Sequence, residues 1–439
     1  MTTGDRLLSS MSGLFHSVRS VGGRMSWGLI DQGLSSLSNF AVGIVVAHSV
    51  GLEEFGAFTL AWFTYGLILN VSRGLGTDPL VVRFSGVPMA DWRTAVSRTS
   101  ATAIVVGVVM GVACLLLGIA VPGPVGDALV GLGLVLPLLV LQDSWRFAFF
   151  AAGQGHKACI NDLVWALALV PTMAVAVQRE SLLGIVLAWG LAGGVAALFG
   201  LRQARVLPSF GGALTWFREQ RDLGVRYMVE NITQSGGTQL RMYALGVIAG
   251  LAEVAALRGA QLLLGPLLTV LMGIGTVAVP EAVRWLRRSR GHLLRFCLAL
   301  GSVEAVAALL WALALWIFLP TGVGEVVLGQ VWQPASVLVL PLCLSVIVST
   351  FCTGATTGLR ALGTARRSLR SQVVESTLFV LATVIGATVA GALGATWAGL
   401  AAAVVSGIFW WTQFRRAMHR GEGNGPVLGM EDVGSITAR

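Results

Sequence analysis

ATAIVVGVVMGVACLLLGIAV, residues Ala101 to Val121, holds no charged side chain, and neither does LLGIVLAWGLAGGVAALFGL, Leu182 to Leu201. Each runs about 20 residues, the length an α-helix needs to cross bilayer hydrocarbon at its rise of about 1.5 Å per residue. Their internal glycines weaken a strand reading and are tolerated in membrane helices. The whole chain is 55% hydrophobic and 12% charged. A soluble domain carries about 25% charged residues, so a soluble chain of this composition could bury a core but not cover its surface. The expected fold is therefore all-α, a polytopic membrane protein. Twelve helices are read at about 25–50, 55–77, 99–121, 128–152, 161–178, 182–201, 225–250, 253–279, 292–319, 335–359, 371–390 and 395–414.

The connections between these segments alternate in charge. Arg6, Arg19 and Arg24 precede the first helix. Arg83, Arg93 and Arg98, then Lys157, then Arg202, Arg205, Arg218, Arg221 and Arg226 follow on the same side. Arg284, Arg287, Arg288, Arg290 and Arg295 continue the series, then Arg360, Arg366, Arg367 and Arg370, and last Arg415, Arg416, Arg420 and Arg439. The opposite-side connections hold only Arg179. Basic loops stay in the cytoplasm, so both termini are expected there. The same bias accounts for the net charge of +9. Basic residues that hold topology against anionic membrane lipids leave no reason to invoke nucleic acid. Residues 1–24, with apolar side chains at helical spacing between Arg6 and Arg19, read as an amphipathic segment on the inner leaflet.

An internal repeat divides the chain. Gly51-Leu52-Glu53-Glu54 is matched 199 positions on by Gly250-Leu251-Ala252-Glu253. At that offset Gly66 meets Gly265, Gly74 meets Gly273, Gly76 meets Gly275, Asp31 meets Glu230 and Gln32 meets Asn231. After two inserted residues Pro79-x-x-Val82-Arg83 meets Pro280-x-x-Val283-Arg284. Six helices per half return the chain to its starting side. Two six-helix bundles, 25–201 and 225–414, are then related by a parallel pseudo-two-fold axis along the membrane normal. Residues 202–224 read as a cytoplasmic connecting loop and 415–439 as a cytoplasmic tail.

Charged and polar groups at bilayer depth mark candidate sites, because they are costly there unless they face protein or water. Asp31, Ser35 and Ser38 share a face of the first helix, beside Gln32, Ser36 and Asn39; Glu230, Gln234, Thr238 and Arg241 share one on the seventh. The cavity candidates are Arg241, Arg146, Arg258, Arg73, Gln234 and Asn39, and the ion-coupling candidates are Asp31 and Glu230. Each has a plainer reading. Arg73 and Arg258 lie near helix ends and are in reach of snorkelling, Asp143 and Arg146 are three apart and can neutralise each other, and Asp162 reads as an N-cap. The Gly-x-x-x-Gly pairs beginning at Gly107, Gly190, Gly246 and Gly354 read as packing contacts. The five cysteines make no CxxC pair, the histidines show no metal spacing and there is no Walker A sequence. No metal or other cofactor is expected, and no enzymatic activity.

Asp31-Gln32-Gly33-Leu34-Ser35-Ser36-Leu37-Ser38-Asn39-Phe40, followed by Val46-Ala47 and Gly51-Leu52-Glu53-Glu54-Phe55-Gly56-Ala57-Phe58, resembles polysaccharide-biosynthesis membrane proteins. These belong to the multidrug/oligosaccharidyl-lipid/polysaccharide exporter superfamily and include Wzx-type flippases. The residue-level resemblance sits in the first two helices; helix count and repeat extend it over nearly the whole chain. It implies a bacterial plasma-membrane transporter that flips a polyprenyl-pyrophosphate-linked oligosaccharide by alternating access. The lipid-linked glycan, membrane lipids and glycan-assembly proteins would be its partners. The chain lacks the two further helices of the lipid II flippase branch, which argues against that branch. Arginine suits a pyrophosphate because its planar donors bind two oxygens together. A drug/cation antiporter of the superfamily would instead show a cavity dominated by acidic and aromatic groups. A glycan polymerase or ligase would need a charged outward loop, whereas the longest, about 320–334, carries only Glu325.

Reporter fusions after Gly51, Pro124, Glu180, Leu251, Val323 and Leu393 should report the outside. Those after Pro88, His156, Gly212, Ser289, Arg366 and Gly425 should report the cytoplasm. Two successive sites on one side would remove both the twelve-helix reading and the parallel repeat.

Overall fold

The computed structural model describes residues 27–420. The amphipathic reading of residues 1–24 and the tail beyond 420 lie outside the described residues. The first bundle holds α1 (Trp27–Ser49), α2 (Leu52–Phe84), α3 (Met89–Ala120), α4 (Pro124–Ala151), α5 (Gly155–Val177) and α6 (Leu182–Ala204). The second holds α7 (Phe210–Ala249), α8 (Leu251–Arg288), α9 (Arg290–Phe318) and α10 (Trp332–Ala361), then a last element, Ala365–His419. That element is two helices, α11 and α12, because Ala390 and Gly391 leave helical geometry, Gly391 at φ +56°.

Local chemistry starts and stops these helices. The Gly51 amide donates to Glu54 Oε2 at 2.9 Å and opens α2. Pro124 stands in the first turn of α4, where its missing N–H costs nothing. Ser181 and Ser289 accept from the Gly184 and His292 amides and cap α6 and α9. No helix turn remains between α11 and α12, so a remote side chain serves: Glu253 of α8 accepts from the Ala392 amide at 2.7 Å.

Ten elements are long and apolar enough to cross a bilayer. α7 is not among them, because Glu230, Asn231, Gln234, Thr238, Gln239 and Arg241 lower its hydropathy. Connectivity still requires it to cross. α6 ends among the arginine-rich connections and α8 starts from the opposite end, at Gly250. With α7 counted and the last element split, the described residues form twelve spanning helices, and the chain is a multi-pass membrane protein. Residues 210–224, read above as loop, are instead helix continuous with α7; the connection itself shrinks to about 205–209. Likewise α5 begins at Gly155, so Asp162 is an interior residue of that helix and not its N-cap.

Small residues set the packing inside each bundle. A Cβ on Gly111 of α3 would stand 2.6 Å from the Gly133 carbonyl of α4, and one on Gly118 would stand 2.8 Å from that of Gly126. In the second bundle Gly301 of α9 lies against the Phe351 backbone of α10, and Gly354 against that of Cys297. Backbone approach of this kind supplies helix association where lipid removes the hydrophobic drive. The outer faces are apolar and exposed, with Val109, Leu116 and Ile119 of α3 and Val303, Leu310 and Trp316 of α9 among the most open.

The bundles meet through α1, α2, α7 and α8. Gly56 of α2 presses on the Leu251 backbone of α8, at the ends the two repeats share. Around that crossing α1 touches α8, at Gly43 with Leu262, and α7 touches α2, at Gly246 with Leu60. The repeat relates these last two contacts.

Gly111→Leu should lower stability by about 1–3 kcal/mol through overpacking of the α3–α4 seam. Thermal unfolding in detergent measures this against Gly211→Ala, where a Cβ meets nothing within 4 Å and no loss is expected.

Candidate functional site

Between the bundles lies a cavity of about 900 Å³, lined by α1, α2, α7, α8, α10 and α11. Four of the residues singled out from sequence line it: Asn39, Gln234, Arg241 and Arg258. α7 supplies Gln234, Thr238 and Arg241 from one face, as their spacing requires. The Arg241 guanidinium lies 4.9 Å from the centre of the Phe379 ring and donates to Thr238 Oγ1 at 3.2 Å. Arg258 has no hydrogen-bond or ion-pair partner among the described residues. Hydroxyls and amides surround the two arginines: Ser36, Gln261, Ser345, Ser349, Gln372 and Ser376. Phe40, Trp62, Phe63 and Phe379 add rings, and Glu375 is the one carboxylate in the lining.

The other candidates stand outside the cavity, and three of them, Arg73, Arg146 and Asp31, are held in ion pairs. Arg73 donates through Nε and Nη2 to both oxygens of Asp143, at 2.9 and 2.7 Å, and its guanidinium lies 5.0 Å from the centre of the Phe147 ring. Arg146 donates through Nε to Asp31 at 2.5 Å and lies 3.7 Å from Asp162. Asp143 and Arg146, read as a mutual pair, therefore each bond to a different helix, α2 and α1. One turn of α4 points their side chains to different neighbours. Asp162 also accepts from Gln142 at 2.8 Å, and Asn161 joins Gln142 to Gln203. Two carboxylates thus share one guanidinium, and Asp31 Oδ1 is buried without a hydrogen-bond partner among the described residues. Glu230 is exposed and, among the described residues, accepts only from Gln234, at 3.1 Å.

The repeated helices α1 and α7 are held differently. α7 is tied to the first bundle along its length. Its Tyr243 bonds Thr64 at 2.8 Å, Asn70 donates to Ser235 at 2.5 Å, and Asn231 donates to Asp78 at 2.7 Å. Arg83 donates to Gln220 at 2.7 Å and to Asp222 at 2.6 Å. That bond from Arg83 holds the Asp222 carboxyl below its usual range. α1 meets α8 through apolar contacts, Gly43 with Leu262 and Phe40 with Gly265. Beyond them Leu37 of α1 (65% exposed) and Leu268 of α8 (40% exposed) line the cavity. Towards the Gly51 and Gly250 ends of the bundles, Gly56 packs against Leu251 and His48 Nε2 lies 2.9 Å from the Val326 carbonyl.

Sequence reading missed the α11 contribution. Gln372, Glu375, Ser376 and Phe379 are spaced by three, four and seven, one face of a helix, and Glu375 is the lone charge in its apolar run. Glu375 accepts from Trp410 Nε1 at 3.0 Å. Glu304 of α9, a second solitary acid, is buried, and its Oε1 has no partner.

No protein-family model matches the sequence, and no curated protein matches it. Solved structures share the fold. An inward-facing multidrug resistance MATE family transporter of the MOP superfamily overlaps 88% of this chain and 95% of its own, with a TM-score of 0.64 and 17% identity. The lipid II flippase MurJ in an inward closed conformation covers 90% of each chain, with a TM-score of 0.70 and 10% identity. An outward-facing MATE family transporter gives a TM-score of 0.51 at 16% identity over 89% of this chain and 94% of its own. The lipid II flippase branch, disfavoured above on helix number, therefore shares this fold over most of its length.

Arg73→Gln should destabilise the protein by about 3–5 kcal/mol, since it leaves Asp143 charged and unpaired in a site where its side chain is 6% exposed. Adding Asp143→Asn should recover most of that loss. Unfolding measurements on both variants check the pairing; a double variant worse than the single one would disprove it.

Proposed function

We propose that the chain is a transporter, a flippase that moves a polyprenyl-pyrophosphate-linked oligosaccharide across the bacterial plasma membrane by alternating access. The observation that carries this reading is the cavity with two arginines against one carboxylate. Such a substrate has three parts with separate needs. A pyrophosphate needs fixed cations, and Arg241 and Arg258 supply them with planar, two-pronged donors. Sugar hydroxyls need amides and hydroxyls, here Asn39, Gln234, Gln261 and Ser349. A polyprenyl chain has to remain in hydrocarbon while its head is enclosed, and the apolar faces of α1 and α8 beside the cavity suit it. No covalent bond changes, so no catalytic group is required.

The reaction cycle follows from the same groups. With both termini in the cytoplasm the cavity takes the head group from the arginine-rich side. The contacts of Gly56 and His48 then part on the outer side while the inner ends close. Asp31 is the coupling group this geometry favours over Glu230. It shares Arg146 with Asp162, so one negative charge of the pair is left for a proton or sodium ion to neutralise. Binding there changes what holds α1 to α4, and α1 is also a cavity wall.

A second reading, export of an organic cation by an antiporter, draws on Glu375 and the rings of Phe40, Trp62, Phe63 and Phe379, which suit a cation. The excess of arginine in the same wall works against it.

Proteoliposomes separate the two readings. Arg241→Ala and Arg258→Gln should each slow appearance of labelled lipid-linked glycan on the far face by about tenfold or more, the loss of one charge-assisted contact. Arg241→Lys should recover part of the rate. Asp31→Asn should remove dependence on an imposed ion gradient, and Glu230→Gln should leave it. Full glycolipid transport by folded Arg241→Ala and Arg258→Gln would reject the cavity role; drug efflux lost with Glu375→Gln would establish the second reading.

A further inference from the structure

A second cavity, of about 480 Å³, opens at the arginine-rich end of the first bundle, away from the central one. Three helices frame it: the start of α3, the α4–α5 turn with the first turn of α5, and the end of α6. They bring four cations to one space, Arg93, Lys157, Arg202 and Arg205, and no carboxylate lines it. Three other basic side chains at this end are answered by acids. Arg83 is 2.6 Å from Asp222, Arg98 is 3.2 Å from Glu219 and Arg284 is 2.8 Å from Glu281. None of the four has an acidic partner within 4 Å among the described residues. Lys157, the one lysine of the chain, is half-buried. Its Nζ reaches only the Gln203 carbonyl, at 3.4 Å, and lies 5.9 Å from the centre of the Phe149 ring, both neutral.

Topology alone asks only that basic residues lie on one side of the membrane. It does not ask that four from three helices converge, where their mutual repulsion opposes the packing. Arg205 adds a further sign of selection by something other than the backbone. It is the C-cap of α6 at φ +52°, a left-handed position where glycine is the usual occupant. The wall completes the site: Trp92 and Phe199 give it apolar sides, as at the depth of lipid head groups.

We propose that this pocket binds a phosphate-bearing anion, separate from the transported substrate. The ligand is a phosphate ester whose charge answers the four cations, held from two sides by Arg93 and Arg202 with Lys157 beneath. Its phosphate comes either from the head group of an anionic phospholipid of the surrounding leaflet or from a soluble phosphate compound.

Two arms distinguish these sources, both with the full-length protein. In the first, phosphatidylglycerol and phosphatidylcholine are titrated in detergent and retained lipid is counted by native mass spectrometry. In the second, labelled pyrophosphate is titrated by equilibrium dialysis onto full-length Arg241→Gln/Arg258→Gln protein, whose central cavity has lost both cations, in phosphatidylcholine nanodiscs. We expect saturable binding in at least one arm, weakened by salt and lowered at least about tenfold by Arg93→Gln/Arg202→Gln. Arg93→Lys/Arg202→Lys should recover part of it, and Arg258→Gln, in the central cavity, should leave it intact. Arg205→Gln alone provides the comparison if the double variant does not fold. Preference for phosphatidylglycerol identifies the lipid source, and pyrophosphate binding without that preference identifies the soluble one. No binding in either arm, affinity unchanged in the folded pocket variants, or loss in Arg258→Gln would overturn the assignment.

Discussion

An arginine at bilayer depth has to be answered by an anion, an aromatic face or water, and the four that lie there organise this molecule. Arg73 takes Asp143 and so ties α2 to α4. Arg146 takes Asp31 and so ties α1 to α4. These two are spent within the first bundle, where they fix how its helices stand. Arg241 has a hydroxyl, a ring and the nearby Glu375 carboxylate, and Arg258 has no hydrogen-bond or ion-pair partner among the described residues. The cavity lies where two arginines face a single carboxylate, and its polar lining follows from the same need.

The helices were legible in the sequence because span length, charge alternation and a constant repeat offset are properties of the chain alone. The partners of the charged residues were not. Asp143 and Arg146 lie one turn apart on α4, and a local rule joins them. Three-dimensional packing gives each a partner from a helix more than 60 positions away in sequence. Asp162 looked like a cap because the start of α5 was placed six residues late, after the polar Gly155-His156-Lys157 segment that the helix in fact includes. Asn39, Gln234, Arg241 and Arg258 were found because a charge or a polar stripe inside an apolar run is visible. Glu375 meets the same criterion, the lone charge in an apolar run. What no linear pattern carried was which arginines would be closed off and which would face the cavity.

The repeat conserves positions more than duties. Glu54 caps its own helix, while Glu253, its counterpart, caps α12 across the bundle, where a turn has been shortened to two non-helical residues. Asp31 is buried against an arginine, while Glu230 is exposed beside Gln234. Duplication supplied a symmetric frame, and each half then placed its charges for a different purpose: internal bracing in the first, a polar cavity wall in the second.

The hydrogen bonds of α7 carry a mechanical consequence. By sequence the chain divides six helices and six; by its cross-links it divides seven and five, because α7 is fastened to α2 from Tyr243 down to Asp222. A rotation of the two bodies that kept those bonds would carry α7 as a strut of the first. The change in chain direction would fall on Gly250, whose φ of +96° already sets it apart from the helices on either side. α1, its repeat counterpart, would slide over α8 on apolar surfaces with little to break. The molecule would then open like a door, hinged along one edge and free along the other, and not like a clamshell.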